Sequence, residues 1–347
     1  MTAKILNPTP ENLRAITEDL KFGEVVALPT ETVYGLAGLL SLPEALMRIY
    51  ETKERPTFDP LIVHVLLPEA HLASLMRLGM LDLRGFSDLA IKRTDLLIRS
   101  FWPGPLTLVL PKAPVIPDLV TSGLSTVAVR EPAHPVMREV LKRLGEPVCA
   151  PSANRFGRIS PTTSEAVLSE LGDRIESILE GGACSAGLES TIVRVLEDGQ
   201  LEILRPGAIA REEIERALGV GVSLASTHSA LSTPKLAPGN LKSHYAPMTA
   251  LSLFHRGEFP AQDYDPTDAV LFFDQAGLQD FSRTLIPKTS RVLSYSGDLR
   301  EASRNLFRML RELDELGPRK IWAESPPTLE GLGYAILDRL TRASHTP

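Results

Sequence analysis

Several short stretches of the chain concentrate side chains that bind anions and small polar ligands. Leu28-Pro29-Thr30-Glu31-Thr32-Val33-Tyr34-Gly35-Leu36 places hydroxyls, a carboxylate and a phenol just beyond the apolar run Val25-Val26-Ala27-Leu28. Polar residues at a strand's end, in a turn closed by Gly35, stand where open α/β sheets place ligands. They equally suit an ordinary strand exit whose hydroxyls satisfy turn amides. Lys53-Glu54-Arg55-Pro56, followed by Thr57-Phe58-Asp59-Pro60, sets two cations close together in what reads as a proline-pinned, non-helical segment. Such a pair neutralises a polyphosphate, Lys as a point charge and Arg as a planar fork. A solvated basic loop is the plainer alternative. His64 lies inside the apolar run 61–66, where a histidine suits a core position as well as a catalytic one.

Ala150-Pro151-Ser152-Ala153-Asn154, with Gly157 and Ser160, follows another apolar run. Small residues let the backbone approach a ligand, while Ser152, Asn154 and Ser160 can donate to phosphate oxygens. The segment also reads as a Ser/Asn-rich turn before a helix at Ser164. Arg130 and Arg205 close two further runs, where either an anionic ligand or a paired carboxylate would satisfy them. No G-x-x-x-x-G-K-[ST] loop, complete G-x-G-x-x-G, H-E-x-x-H helix or G-x-S-x-G elbow is present. Cys149 and Cys184 form no C-x-x-C pair and cannot build a four-thiolate zinc site.

The elements that must position these residues alternate. Leu13, Ile16 and Leu20 recur at helical spacing before the stop signal Gly23. Short, β-branched runs at 25–28, 61–66, 106–110, 126–130, 191–196 and 201–204 predict strands, and 135–144 and 164–171 predict helices. This argues for an α/β fold with a twisted mixed sheet. From about Gly221 the texture becomes rich in Ser, Thr, Ala and Pro, which predicts a linker. Beyond it, strands at 250–254, 269–273, 291–295 and 320–323 and helices at 301–316 and 335–340 predict a smaller βαβ-type unit. The boundaries expected are 1–221, a linker at 222–247 and 248–347. Hydrophobic residues make up 43% of the 347-residue chain, enough for a sizeable core. Its 37 Lys and Arg against 43 Asp and Glu give a net charge of −6, which disfavours strong, indiscriminate nucleic-acid binding. No run has the length of a membrane span, the N-terminus lacks a signal-peptide pattern, and cysteines are few, so a cytoplasmic location is expected.

Weak singly, the motifs are specific in combination. Pro29-Thr30-Glu31-Thr32-Val33-Tyr34-Gly35-Leu36, Lys53-Glu54-Arg55-Pro56 and Pro60-Leu61-Ile62-Val63-His64 resemble the opening of the YrdC/Sua5 family. Trp102-Pro103-Gly104-Pro105-Leu106-Thr107, Thr126 to Arg130, Pro151-Ser152-Ala153-Asn154, Glu189-Ser190-Thr191 and Leu204-Arg205-Pro206-Gly207 continue it in order. Pro238-Gly239 and His244-Tyr245-Ala246-Pro247 resemble the linker of the two-domain Sua5 type. The resemblance implies a concave YrdC-like domain, a smaller Rossmann-like C-terminal domain, and L-threonylcarbamoyladenylate synthase activity. That activity joins L-threonine, bicarbonate or CO2 and ATP, releases pyrophosphate, and serves t6A modification at position 37 of tRNA. By the same resemblance, Lys53 and Arg55 would be catalytic. ATP would meet Lys53, Arg55, Thr57, Thr126, Ser152, Asn154, Ser160, Arg205, His244 and Tyr245. Threonine would meet Thr30, His64, Arg130, Ala150 and Ser190. Mg²⁺ would accompany ATP through unassigned ligands. A tRNA-modifying threonylcarbamoyl transferase would act downstream, with weak or no direct tRNA binding and no membrane partner. The Phe58-Asp59 pair departs from the family's polar residue and Asn, and a carboxylate there would oppose ATP. The proline-rich linker suggests a strap that closes over the cavity. An RNA-binding module using a basic concavity is the alternative function.

Overall fold

A computed structural model describes residues 2–225, 244–281 and 287–345. Its larger sheet comprises β1 (Lys4–Leu6), β2 (Val26–Leu28), β3 (Gly35–Leu39), β4 (Ile62–His64), β5 (Leu106–Pro111), β6 (Thr126–Arg130), β7 (Val148–Cys149), β8 (Ser177–Leu179), β9 (Thr191–Val195), β10 (Leu201–Arg205) and β11 (Ser223–Leu224). Their order across the sheet is β1-β8-β2-β3-β7-β4-β6-β5-β9-β10-β11, with parallel and antiparallel neighbours mixed. Helices α1 (Pro10–Lys21), α2 (Pro43–Lys53), α3 (Leu72–Met76), α4 (Asp88–Phe101), α5 (Asp118–Thr121), α6 (Pro135–Leu144), α7 (Ser164–Leu171) and α8 (Arg211–Leu218) surround it.

The pleat explains where an open face arises. Val63, Leu108, Leu110, Val127, Val129 and Val193 point into the main core. Their alternates Ile62, Val109, Ala128 and Ile192 form an apolar floor on the opposite face, as the period of two requires. His64 and Arg130 share that opposite face. Over β2, β3 and β7 the same face is covered by α1 and α6, through Leu13, Ile16, Leu20, Met137, Val140 and Leu141. Among the described residues no helix covers it over β4, β6, β5 and β9.

The smaller sheet is wholly parallel, in the order β12 (Leu251–Phe254), β15 (Ile321–Glu324), β13 (Ala269–Asp274), β14 (Thr289–Ser294). Helices α9 (Gln275–Phe281), α10 (Leu299–Glu315) and α11 (Gly333–Ala343) pack with it. Helix α10 is amphipathic, with Leu306, Phe307, Leu310 and Leu313 buried. A βαβ-rich arrangement of parallel strands was expected here and is observed.

Several expectations change. Lys53 is not in a non-helical segment: it ends α2, a helix begun by Pro43 and stopped by Glu54 in the left-handed region at φ 53°. Gly35 does not close a turn but opens β3, which pairs antiparallel with β2. The strand expected at 61–66 is confined to Ile62–His64 between Pro60 and Pro68. The expected linker overlaps the sheet at its start, because β11 pairs parallel with β10. Most of that linker, 226–243, lies outside the described residues. No helix among the described residues is long and apolar enough to cross a membrane.

Candidate active site

Strand directions bring distant residues to one edge. Parallel pairing of β4 with β6 sets His64 opposite Arg130. Because β5 runs antiparallel to β6, the start of β5 lies beside the end of β6. Strand β9 runs parallel to β5 and β10 antiparallel to β9, so Ser190 and Arg205 reach that edge too. The result is a cavity lined by Thr32, Val33, Arg55, Pro60, Ile62, His64, Arg130, Ala150, Pro151, Ser152, Glu189, Ser190, Arg205, His244 and Tyr245. Three arginines against one carboxylate, Glu189, make its wall cationic.

Each charge is held by identifiable partners. Arg130 donates through Nη1 to the Thr32 hydroxyl (2.8 Å) and through Nε to the Gly104 carbonyl (3.2 Å). Its Nη2 stands 2.6 Å from Glu31 Oε1, yet no aligned acceptor completes a hydrogen bond at Nη2. The paired-carboxylate alternative for Arg130 is therefore realised, with Glu31 as the partner, while the arginine also lines the cavity. Arg55 pairs with Asp59 (Nη2–Oδ2 3.0 Å) and donates to the carbonyls of Asp59 and Pro60. Asp59 is wholly buried and absent from the cavity wall, so Arg55 neutralises the carboxylate that the sequence set against ATP. Arg205 donates through Nε and Nη2 to the Ser190 carbonyl and through Nη2 to its hydroxyl. The Ser190 hydroxyl also meets Thr107 at 2.7 Å.

Burial keeps the two cavity histidines neutral. It lowers His64 to about 3, with Arg130 adding to the shift. It holds His244 well below its ordinary value, helped by Arg55 and Lys53. Burial also raises the Tyr245 phenol, so its proton stays on. The Tyr245 hydroxyl and His244 Nδ1 are buried without hydrogen-bond partners among the described residues. Buried polar atoms of that kind call for a ligand or water.

The remaining expected residues stand behind or away from the wall. Lys53 is buried, its Nζ bonded to the carbonyls of Ser152 and Asn154, the latter at 2.6 Å. Burial, then Arg55, lowers its pKa well below that of a free lysine. Thr30 is consumed by its own turn: its hydroxyl donates to the Val33 carbonyl and accepts from the amides of Thr32 and Val33. Asn154 Nδ2 donates to the carbonyls of Arg155 and Arg158, and Ser160 donates to Glu189 at 2.6 Å. Thr57 is exposed, with its carbonyl accepting from Ser122. Thr126 lies four residues along β6 from Arg130 and lines a separate cleft with Ser125, Arg194 and Glu197. The structure does not bring Thr57 or Thr126 into the wall described above.

The Sua5/YciO/YrdC family model, described as telomere recombination, matches residues 18–207. A model described as the C-terminal domain of threonylcarbamoyl-AMP synthase matches 209–345. The threonylcarbamoyl-AMP synthase of Pyrococcus abyssi is 36% identical over 327 residues, spanning 94% of this chain and 92% of that protein. The chain belongs to the Sua5/YciO/YrdC family. The Bacillus subtilis threonylcarbamoyl-AMP synthase is also 36% identical, over 94% of this chain and 90% of its own. In three dimensions the chain resembles P. abyssi Sua5 complexed with L-threonine, at a TM-score of 0.83 and 32% identity, covering 99% of this chain and 98% of that one.

Thr32 and Glu189 on the wall of this Sua5-type cavity, and Glu31 and Thr107 behind it on Arg130 and Ser190, carry no role in the sequence reading although each lies in a motif legible there. Thr32 and Glu31 are two and one residues past Thr30, and only the turn geometry shows which of them meets Arg130. Arg339, 150 residues from its partner Glu189, had no local signal.

Proposed function

We infer that the chain is an L-threonylcarbamoyladenylate synthase. The observation that carries this reading is the cationic, hydroxyl-lined cavity, in a chain whose relatives carry that enzyme's name from end to end. The arginines sit on a recessed wall rather than an open basic face, which suits a small anion better than an RNA backbone.

The Arg130 guanidinium is the natural partner for the threonine carboxylate, with neutral His64 and Ser190 beside it. Arg55 and Arg205 would take the triphosphate, with Ser152, His244 and Tyr245 donating around it. Lys53 and Asn154 shape the Ser152 loop from behind, and Ser160 holds Glu189. Thr30 orders the turn that presents Thr32.

The chemistry asks for positioning more than for covalent help. A free α-amine has a pKa of about 7.7–8.0, so a neutral amine is accessible near cellular pH. Its nitrogen attacks the carbon of CO2, or of bicarbonate with loss of water, and loses a proton to give a carbamate. A carbamate oxygen then attacks the α-phosphorus, and the bond to the leaving pyrophosphate breaks. The carbamate is weak and labile, so it must be held against the phosphorus with water excluded. Arginines that neutralise the departing pyrophosphate contribute by electrostatics. Among the described residues no cluster of three His, Cys, Asp or Glu could hold a metal. Mg²⁺ would therefore enter on the ATP phosphates, where it would add charge neutralisation. The labile mixed anhydride would pass to a tRNA-modifying transferase. The expected division into two units around a linker, 1–221 and 248–347, is retained as part of this reading, with the first unit extended to Leu224 by β11.

Mixing the protein with ATP, Mg²⁺, bicarbonate and threonine should yield threonylcarbamoyl-AMP by mass spectrometry, with one pyrophosphate per adduct. Absence of the adduct while the protein remains folded would refute the assignment.

A further inference from the structure

The guanidinium of Arg339, in α11 of the second unit, is fully buried against the first unit's cavity. Its Nε meets Glu189 Oε2 at 2.8 Å, and its Nη2 donates to the Pro206 carbonyl at 2.8 Å, next to Arg205. Its Nη1 meets Asp338 at 2.6 Å. The same guanidinium lies 4.9 Å from the centre of the Tyr245 ring. Glu189 and Tyr245 both line the cavity. The other oxygen of Glu189 accepts from Ser160, so both are engaged on either side of that carboxylate.

Tyr245 needs such support. It is a bulky residue at φ 64°, in the left-handed region that costs a non-glycine residue energy. Its ring is held by Phe307 of α10 at 5.5 Å, by His244 at 4.1 Å and by Arg339. What this support presents is a buried phenol hydroxyl with no partner among the described residues.

We propose that Arg339 is a positioning residue of the cavity, by which the second unit fixes Glu189, Ser160 and Tyr245 for the nucleotide. The second unit is thus part of the site and not a mere appendage. Lysine cannot replace the residue fully, because an ammonium cannot bond Glu189 and the Pro206 carbonyl in one plane while stacking on Tyr245. The proposal rests on the reading of the cavity as the ATP and threonine site.

Calorimetric titration of full-length native protein and Arg339→Lys with Mg·ATP, and separately with threonine, tests it. Threonine is read to sit against Arg130, His64 and Ser190, which Arg339 does not touch. In Arg339→Lys the Kd for ATP should rise about tenfold, equivalent to about 1.4 kcal/mol, while that for threonine stays within about twofold. A folded variant with native ATP affinity overturns the proposal, as does an equal loss of both ligands. If Arg339→Lys does not fold, Arg339→Gln combined with Glu189→Gln removes both members of the buried pair at once, while Asp338 keeps Arg342. The same ATP-selective loss is expected there, and native binding overturns the proposal. Collapse of both variants would assign Arg339 to folding alone and overturns it too. Native protein that binds neither ligand would instead remove the reading of the cavity itself.

Discussion

At His64 burial and the Arg130 charge keep an imidazole neutral, and that has a consequence for stability. The unfolded chain takes a proton on this residue below about pH 6.5, whereas the folded chain resists until about 3, because of burial and Arg130. Between those values the unfolded state binds the extra proton, so stability falls as pH drops. The slope approaches about 1.4 kcal/mol per pH unit in that window. Melting temperatures of native protein and His64→Asn between pH 7.5 and 4.5 should diverge, the variant losing less on acidification. Parallel curves would show that His64 protonates freely in the fold. Residue identities were largely readable at this scale: His64, Arg130, Ala150, Ser152, Ser190 and Arg205 lie in quoted motifs and on the wall. The choice between neighbours was not readable, since Thr30 and Thr32 differ only in how the turn folds them.

Helix α2 and the loop after β7 act together through one side chain. Lys53, at the last turn of α2, crosses to the carbonyls of Ser152 and Asn154, and the Phe156 amide returns a bond to the Lys53 carbonyl at 2.8 Å. This clamp sets the height of Ser152 on the cavity wall. Lys53→Met keeps the apolar stem and removes the donor, leaving two carbonyls unmet at about 1–3 kcal/mol. Hydrogen exchange at the Ala153 and Phe156 amides should accelerate. Unchanged exchange with lowered turnover would instead put Lys53 on the phosphates. Elements such as α6 and α7 match their sequence-predicted limits, because periodicity and caps agree there. Helix α2 was hidden: Pro56 draws attention to a break, while Pro43, its true start, looks like another breaker until seen at a helix N-terminus.

The two units share a core rather than touching at a rim. Val33, Ile159 and Leu188 of the first pack with Phe307, Leu310 and Ile336 of the second. Arg311 adds bonds to Glu170 and to the Ile159 carbonyl, each at 2.8 Å. None of this was legible in the sequence, because interface residues carry no period or motif that names a partner hundreds of positions away. Gly187 marks a close approach of the two backbones. It sits at φ 71°, and an added Cβ would stand 2.4 Å from the Arg304 Cα of α10. Backbone cannot yield as a flexible side chain would, so Gly187→Ala combines left-handed strain with overpacking, about 2–4 kcal/mol in all. Since Leu188 and Glu189 follow directly, the displacement propagates to the Arg339–Glu189 pair and thence to the cavity. Calorimetry should show native protein unfolding in one transition, because the shared core couples the units. The variant should melt lower and bind Mg·ATP more weakly. A native melting temperature in Gly187→Ala would mean that the units can part at this seam without loss, and that the close approach is incidental to the fold.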